Sequence, residues 1–148
     1  MEDFLTNYGC LALFVLSFFA STLLPLGSEW LLVTLLLKGH SPTLVVATAT
    51  AGNTLGAFTT YAIGWFGGAW LIERVLRIDS EKRKKAEETY QRYGSWSLLL
   101  SWLPIVGDPL CVVGGLLKVG MSRFFLLVLA GKLARYLVIA WLTLVNLP

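Results

Sequence analysis

An all-α integral membrane protein made of two inverted repeats is predicted by three features of the sequence. Its composition is apolar, with the charges segregated. A break containing proline, glycine and an acid occurs twice inside helix-forming runs, and one constant offset brings the two breaks into register. Each repeat is expected to be a re-entrant helical hairpin plus a transmembrane helix, with an amphipathic surface helix joining the two. At 148 residues the chain is a single domain, and 56% hydrophobic against 14% charged residues, with a mean hydropathy of +0.70, lies far from a soluble average. Between Asp3 and Lys38 the only charge is Glu29, and between Arg92 and Lys118 the only one is Asp108. After Arg123 only Lys132 and Arg135 remain, inside an apolar run that continues to Leu147.

The first repeat, about residues 10–68, opens with a unit from about Cys10 to Leu37 that is interrupted at Pro25 to Glu29. Proline removes a backbone donor and clashes with the preceding turn, while glycine lets the chain reverse. Pro25 and Gly27 therefore predict two half-helices meeting at a tip. Arms of roughly 15 and 10 residues reach only ~22 and ~15 Å at about 1.5 Å per residue, short of the ~30 Å hydrocarbon core. A re-entrant hairpin follows, its tip facing protein or a wet cavity because bare backbone is not tolerated against lipid. The competing reading makes the first apolar segment a full span and moves the N-terminus to the other side. Glu2 and Asp3 precede the apolar run without a basic region, so this segment is expected to be retained.

From Pro42 to Gly68 an uncharged stretch is long enough to cross the membrane. It carries Gly52-x-x-x-Gly56 and Gly64-x-x-x-Gly68, a spacing that lets helices approach closely. Asn53 lies within it and needs hydrogen-bond partners. The linker, about residues 69–93, holds Arg74, Arg77, Lys82, Arg83, Lys84, Lys85 and Arg92. Ser80 or Asp79 can cap a helix there, Ala86, Tyr90 and Tyr93 give it a less polar face, and Gly94 can end it. Four glutamates dilute the basic run, so it reads as a topology signal and a contact for anionic lipid, not as a nucleic-acid site.

The second repeat, about residues 94–147, places Ser95 to Leu103 and Leu110 to Leu117 around the break at Pro104 and Gly107, and Phe124 to Leu147 as the last span. Trp65, Trp70 and Trp96 suit an aromatic belt on the linker side, while Trp30 and Trp102 flank the breaks and are expected to line the cavity. Cys10 and Cys111 lack a CxxC spacing or a histidine partner and read as buried thiols. His40 falls in a polar turn and cannot form a metal site alone. No metal or other cofactor is expected.

Pro25 and Pro104, Glu29 and Asp108, and Gly52 and Gly131 are each 79 residues apart. A re-entrant hairpin crosses nothing and a span crosses once, so the second copy would be inverted relative to the first, as in transporters that build a site at the membrane midplane. If the linker is cytoplasmic, nine cations fall inside and only Lys38 outside. Both termini would then face outward.

Lys132 and Arg135 lie three residues apart in the last span and share a helix face. Each central charge costs about 2.5–3.5 kcal/mol on insertion scales unless an opposite charge meets it, and Glu29 and Asp108 are the available partners. Lys132 corresponds through the offset to Asn53. The functional reading is a midplane cavity in which Lys132 and Arg135 hold an anionic head group while Glu29 or Asp108 gains and loses a proton. The planar fork of arginine suits phosphate, and a carboxylate out of water can take up a proton. The structural reading is a permanent quartet that pins two hairpins to the last helix.

With these residues in view, the chain resembles the DedA membrane proteins, also called the VTT or SNARE-associated domain group, and within them the small YqaA branch. The likeness rests on Leu23 to Glu29, on the pattern of Gly52, Gly56, Tyr61, Gly64 and Gly68, on Arg92-Tyr93-Gly94, on Leu100 to Asp108, and on Gly131-Lys132-Leu133-Ala134-Arg135-Tyr136. The resemblance implies a bacterial inner-membrane protein with two re-entrant hairpins, linked to movement of polyprenyl phosphates or phospholipids and to the proton gradient. Glu29 matches the family's functional acid. Where larger relatives carry an aspartate this chain has Ala57, and where they carry arginines it has Ser101 and Gly107, so those anion-binding arginines do not carry over: either Lys132 and Arg135 replace their charge or the substrate differs.

The expected function is a transporter or flippase for a lipid-linked or anionic substrate, coupled to protons, with membrane lipids as partners. Glu29, Asp108, Lys132 and Arg135 form its site and Asn53 supports it. The alternative is a membrane organiser whose Gly-x-x-x-Gly faces bind partner proteins or a second copy. Enzymatic activity is not expected, since no histidine pair or nucleophile accompanies the carboxylates.

Overall fold

The structure is a computed structural model that describes residues 2–22, 27–67, 70, 73–74, 77–103 and 106–146, with side chains from Tyr8 onward. Pro25, Pro104 and Gly68 lie outside the described residues. The described residues are helical, with no strand among them. In chain order they form α1 (Glu2–Ala20), α2 (Glu29–Leu37), α3 (Pro42–Phe66), α4 (Ser80–Tyr93), a 3-10 helix η1 (Gly94–Trp102), α5 (Gly107–Leu116) and α6 (Met121–Val145). The first arm is longer than expected, 19 residues starting at Glu2, and the second has 9.

The long helices fix the frame. Phe14 O and Phe18 O of α1 lie 2.4 Å from where a Cβ would stand on Gly52 and Gly56 of α3, and the Thr60 hydroxyl donates to Ser21 O at 3.1 Å. Both helices therefore run in the same direction, in contact at a distance that only glycine permits. Helix α2 returns alongside, bringing Leu35 back against Gly9 near the start of α1. Leu13, Leu32, Leu36, Val45, Tyr136 and Ala140 close one core cluster around this hairpin.

Helix α6 crosses α3 antiparallel. Lys132 meets Asn53 near the middle of both helices, the rings of Phe124 and Tyr61 stack 4.3 Å apart on one side, and Ala140 packs with Val45 and Val46 on the other. Helix α5 lies on α3 through Gly64 and Gly115, whose missing Cβ atoms would fall 2.3 Å from Val112 O and 2.1 Å from Tyr61 O. Ala57, Tyr61, Leu98, Leu110, Val113, Phe124 and Val128 form the second core cluster.

The offset of 79 carries the bounds of α3, Pro42 and Phe66, onto those of α6, Met121 and Val145. It also carries one turn onto the other. After α2, Gly39 N–H donates to Leu36 O and His40 N–H to Leu35 O; after α5, Lys118 N–H donates to Gly115 O and Val119 N–H to Gly114 O. Both are Schellman endings, which need a left-handed residue just past the cap. Gly39 takes that place at φ 84° and Lys118 at φ 51°.

The halves differ in their first arms. Where the apolar run from Ser95 suggested an ordinary helical arm, the chain forms a nine-residue 3-10 helix. A 3-10 helix rises about 2.0 Å per residue against 1.5 Å for an α-helix, so a short arm reaches about a third further. This lets η1 bring Leu103 from the end of α4 to the polar centre in so few residues. Of the helices described, α6 alone is both long and apolar enough to cross a membrane by length and composition.

Between the halves, α4 begins where Asp79 accepts a hydrogen bond from Lys82 N–H at 2.8 Å and ends at Gly94 with φ 64°. Its ion pairs, Arg83 with Glu87 and Lys85 with Glu81, are exposed and contribute little. Ala86 is buried against α5 and η1 while Tyr93 is 54% exposed, so the apolar face is narrower than the sequence suggested. Asp79→Ala should cost α4 about 1 kcal/mol. The measurement is amide hydrogen exchange, faster at Glu81 to Arg83 and unchanged in α3.

Candidate functional site

Where the two halves meet, Glu29, Asn53, Asp108, Lys132 and Arg135 line one chamber with Ser21, Gly27, Ser28 and Ser101. The five come from α2, α3, α5 and α6, and each is placed by a local feature. Glu29 and Asp108 stand in the first turns of α2 and α5, where the positive ends of the helix dipoles favour carboxylates. Asn53 and Lys132 are near the centres of α3 and α6, and Arg135 is almost one turn further along α6. Two carboxylates thus face two cations, and the chamber is formally neutral.

The charges are divided into two arms. Arg135 pairs with Glu29 through Nη2 and Oε1, and its Nη1 donates to Trp102 O at 2.7 Å. Both side chains keep about a quarter of their surface accessible. Lys132, only 3% exposed, donates from Nζ to Asn53 Oδ1 and to Ser21 Oγ at 3.2 Å. The Ser21 hydroxyl in turn donates to Asp108 Oδ1 at 3.3 Å. Lys132 therefore reaches Asp108 through a hydroxyl. Asn53 uses both ends of its amide, since its Nδ2 donates to Ser17 O at 3.1 Å.

A ring of hydroxyls surrounds these charges. Ser28 Oγ and Tyr136 Oη are 2.7 Å apart, and the Thr60 hydroxyl holds Ser21 O. Thr50, Thr54 and Ser101 have buried hydroxyl oxygens without a hydrogen-bond partner among the described residues. Of the three, Ser101 lines the chamber, and in a site of this polarity such an atom is where water or a ligand atom is held. The chamber's volume is about 30 Å³, enough for a water molecule. It is too small for a phosphate head group in this conformation.

Sequence reasoning did not single out Ser21, Ser28, Ser101 or Tyr136 as members of the site. One signal existed for the serines of α1: Ser17 and Ser21 lie one turn apart in an otherwise apolar run, as do Thr50 and Thr54 in α3, and hydroxyls one turn apart share a helix face. Trp30 and Trp102 are corrected. Trp30 is 63% exposed and Trp102 42%, and neither side chain lines the polar chamber. Trp102 lines a groove on the outside of the bundle, where an indole can rest against lipid.

Beside the chamber, between η1 and α6, this groove has a volume of about 660 Å³ and is lined by Leu99, Trp102, Gly131, Ala134, Val138 and Arg135, among others. Among the described residues Arg135 is the one charged residue in its wall, and it also lines the chamber.

An apolar helical bundle with a neutral, four-charge chamber at its centre defines a membrane protein with a buried polar site. The chain matches the VTT domain over residues 8–144, and it belongs to that family, the DedA membrane proteins. It is 41% identical over 130 residues to the inner membrane protein YqaA of Escherichia coli strain K12, covering 87% of each chain. It is 34% identical over 141 residues to an uncharacterized protein of Haemophilus influenzae, covering 88% of this chain and 85% of that one. A third relative, an uncharacterized protein of Methanocaldococcus jannaschii, is 26% identical over 140 residues. No solved structure matches the chain.

Proposed function

We propose that the protein is a transporter or flippase of the inner membrane that moves an anionic, lipid-linked substrate of the phospholipid or polyprenyl-phosphate class, coupled to protons. One observation carries the reading: four ionisable side chains and an amide from both halves line a single chamber near the middle of two long helices. Such groups are costly inside a membrane and mark substrate or proton paths. Arg135 and Lys132 supply donors for a phosphate. Glu29 and Asp108 are the proton-exchanging groups, each beside a cation that an incoming anion would compete for. The relative named as an inner membrane protein supports the location.

The reading takes the two halves as inverted repeats. The shared element bounds and turn hydrogen bonds support this, as does the antiparallel meeting of Asn53 with Lys132, its counterpart at the offset. The hairpins α1–α2 and η1–α5 would then enter from opposite faces and meet at the chamber. With the cations of α4 in the cytoplasm, the linker would rest on anionic lipid. The function is that of a carrier, not an enzyme, and involves no nucleic acid.

The test is lipid translocation in proteoliposomes carrying either tail-labelled fluorescent phosphatidylglycerol, phosphatidylcholine or a polyprenyl phosphate, with and without an imposed proton gradient. Translocation of at least one anionic lipid, faster with the gradient and absent for phosphatidylcholine, is expected. Rates equal to protein-free vesicles for both anionic lipids would overturn the reading. The second reading, a structural organiser, is favoured by the small volume of the chamber and by the closed Glu29–Arg135 pair. It predicts that result together with recovery of a defined partner protein or a stable homo-oligomer.

A further inference from the structure

The two acids stand at equivalent places, 79 residues apart, yet take different partners. Glu29 pairs with Arg135, while Asp108 is met by the Ser21 hydroxyl. The halves also differ two residues before each acid. There the first half has Gly27 and the second has Val106, whose side chain packs against the second core cluster. A Cβ on Gly27 would fall almost on Glu29 Oε2 and 2.8 Å from its Cδ. The carboxylate of Glu29 therefore occupies space that any other residue at position 27 would fill with its own side chain. Gly27 itself lines the chamber, so a carboxylate folded back over it stays inside.

The cation of the pair is anchored from elsewhere. Its Nη1 donates to Trp102 O at 2.7 Å, so the acid has to be brought to it. The residue between Gly27 and Glu29 ties this part of the chain to the helix that carries Arg135. Ser28, 1% exposed, shares a 2.7 Å hydrogen bond with Tyr136, the neighbour of Arg135. Ser28 and Glu29 thus meet Tyr136 and Arg135 as two adjacent contacts. With the backbone held there, the carboxylate lies against the guanidinium through the place left empty at Gly27. The glycines of α3 differ in kind, because a Cβ on Gly52 or Gly56 would meet the backbone of α1. A methyl on Gly27 would meet the far end of a flexible side chain, and that side chain can yield to another rotamer.

We propose that Gly27 is a positioning residue, whose missing side chain leaves the seat that holds the Glu29 carboxylate against Arg135. Letting the chain reverse is then only part of what a glycine does at this break. Both members of the pair keep about a quarter of their surface accessible, and an ion pair between freely rotating, part-exposed side chains contributes little. The seat removes that freedom from the acid, as Trp102 O does from the arginine. Val106 leaves no such place in the second half. The seat is a property of the pair and holds whether or not the site transports; its consequence for translocation rests on the function proposed above.

Phenylglyoxal reacts with an arginine whose guanidinium is free, and peptide mass spectrometry of the full chain in detergent gives its extent at Arg135 relative to the exposed Arg123 on the same helix. Gly27→Ala should raise that ratio roughly two- to fivefold, the range for opening a part-exposed ion pair, and Glu29→Ala should raise it as much. Gly27→Ala added to Glu29→Ala should raise it no further, because the seat is then already empty. The unfolding temperature separates the seat from a need of the backbone itself for glycine. Gly27→Ala should lower it with Glu29 present and leave it unchanged beside Glu29→Ala. An unchanged ratio in Gly27→Ala, or an equal fall in unfolding temperature in both backgrounds, overturns the seat. In proteoliposomes Gly27→Ala should translocate anionic lipid no better than Glu29→Gln does. Normal translocation with Arg135 freed would leave the seat standing and overturn the use of Glu29 in transport.

Discussion

Lys132→Met should abolish translocation and also cost the fold about 3–5 kcal/mol, the usual penalty for removing one member of a buried charge pair. Lys132 is the most deeply buried of the four charges. Its loss strands Asn53 Oδ1 and deprives Asp108, still held by the Ser21 hydroxyl, of the cation that reaches it through Ser21. Adding Asp108→Asn to Lys132→Met removes the stranded charge and should restore most of the thermal stability in detergent. Translocation should stay at the protein-free level in the double variant. Separating the two readouts is the purpose of the pair. If the double variant regains both stability and translocation, Asp108 and Lys132 serve only to hold the hairpins together.

Gly56→Leu should prevent recovery of folded protein. A Cβ at Gly56 would lie 2.4 Å from Phe18 O and 2.9 Å from Ser21 Cβ, so α1 must move away from α3. Backbone cannot give way as a flexible side chain does, and the cost is expected at or above the upper end of the ~1–3 kcal/mol typical of overpacking. Ser21 moves with α1, so the bridge from Lys132 to Asp108 is lost as well. Gly120→Ala is the control, because nothing among the described residues lies within 4 Å of its missing Cβ. It should cost less than about 1 kcal/mol, as a change at a helix N-cap. The measure is the yield of monodisperse protein and its unfolding temperature. A normal yield for Gly56→Leu would mean that the α1–α3 contact is not the seam on which the first hairpin rests.

Much of this arrangement is legible in the sequence because the informative residues are out of place in it. A glutamate, an aspartate, a lysine and an arginine in apolar runs are costly unless polar groups or one another meet them, and the offset of 79 pairs Glu29 with Asp108 and Asn53 with Lys132. Asp79 and Gly94 mark the limits of α4 because each end of a helix needs its orphan backbone groups satisfied. What was hidden depends on longer-range geometry. An apolar run such as Leu98-Leu99-Leu100 does not tell a 3-10 helix from an α-helix, because no polar residue marks which face is buried. Ser21 and Ser28 carry no mark in the sequence, since a single hydroxyl gives no hint of its partner. The outward turn of Trp30 and Trp102 reflects a preference of indole for the lipid boundary that outweighs nearness in sequence to a break.

The meeting of Asn53 with Lys132 also bears on the chain's ancestry. If the halves descend from one segment that once paired with an antiparallel copy of itself, this position would have faced its own duplicate. Two lysines there would repel in a medium that screens poorly, and two asparagines would pair but carry no charge. Once the segment is duplicated, one copy can keep the amide while the other acquires the ammonium. On that descent the unlike pair requires two copies free to differ, which no symmetric dimer offers.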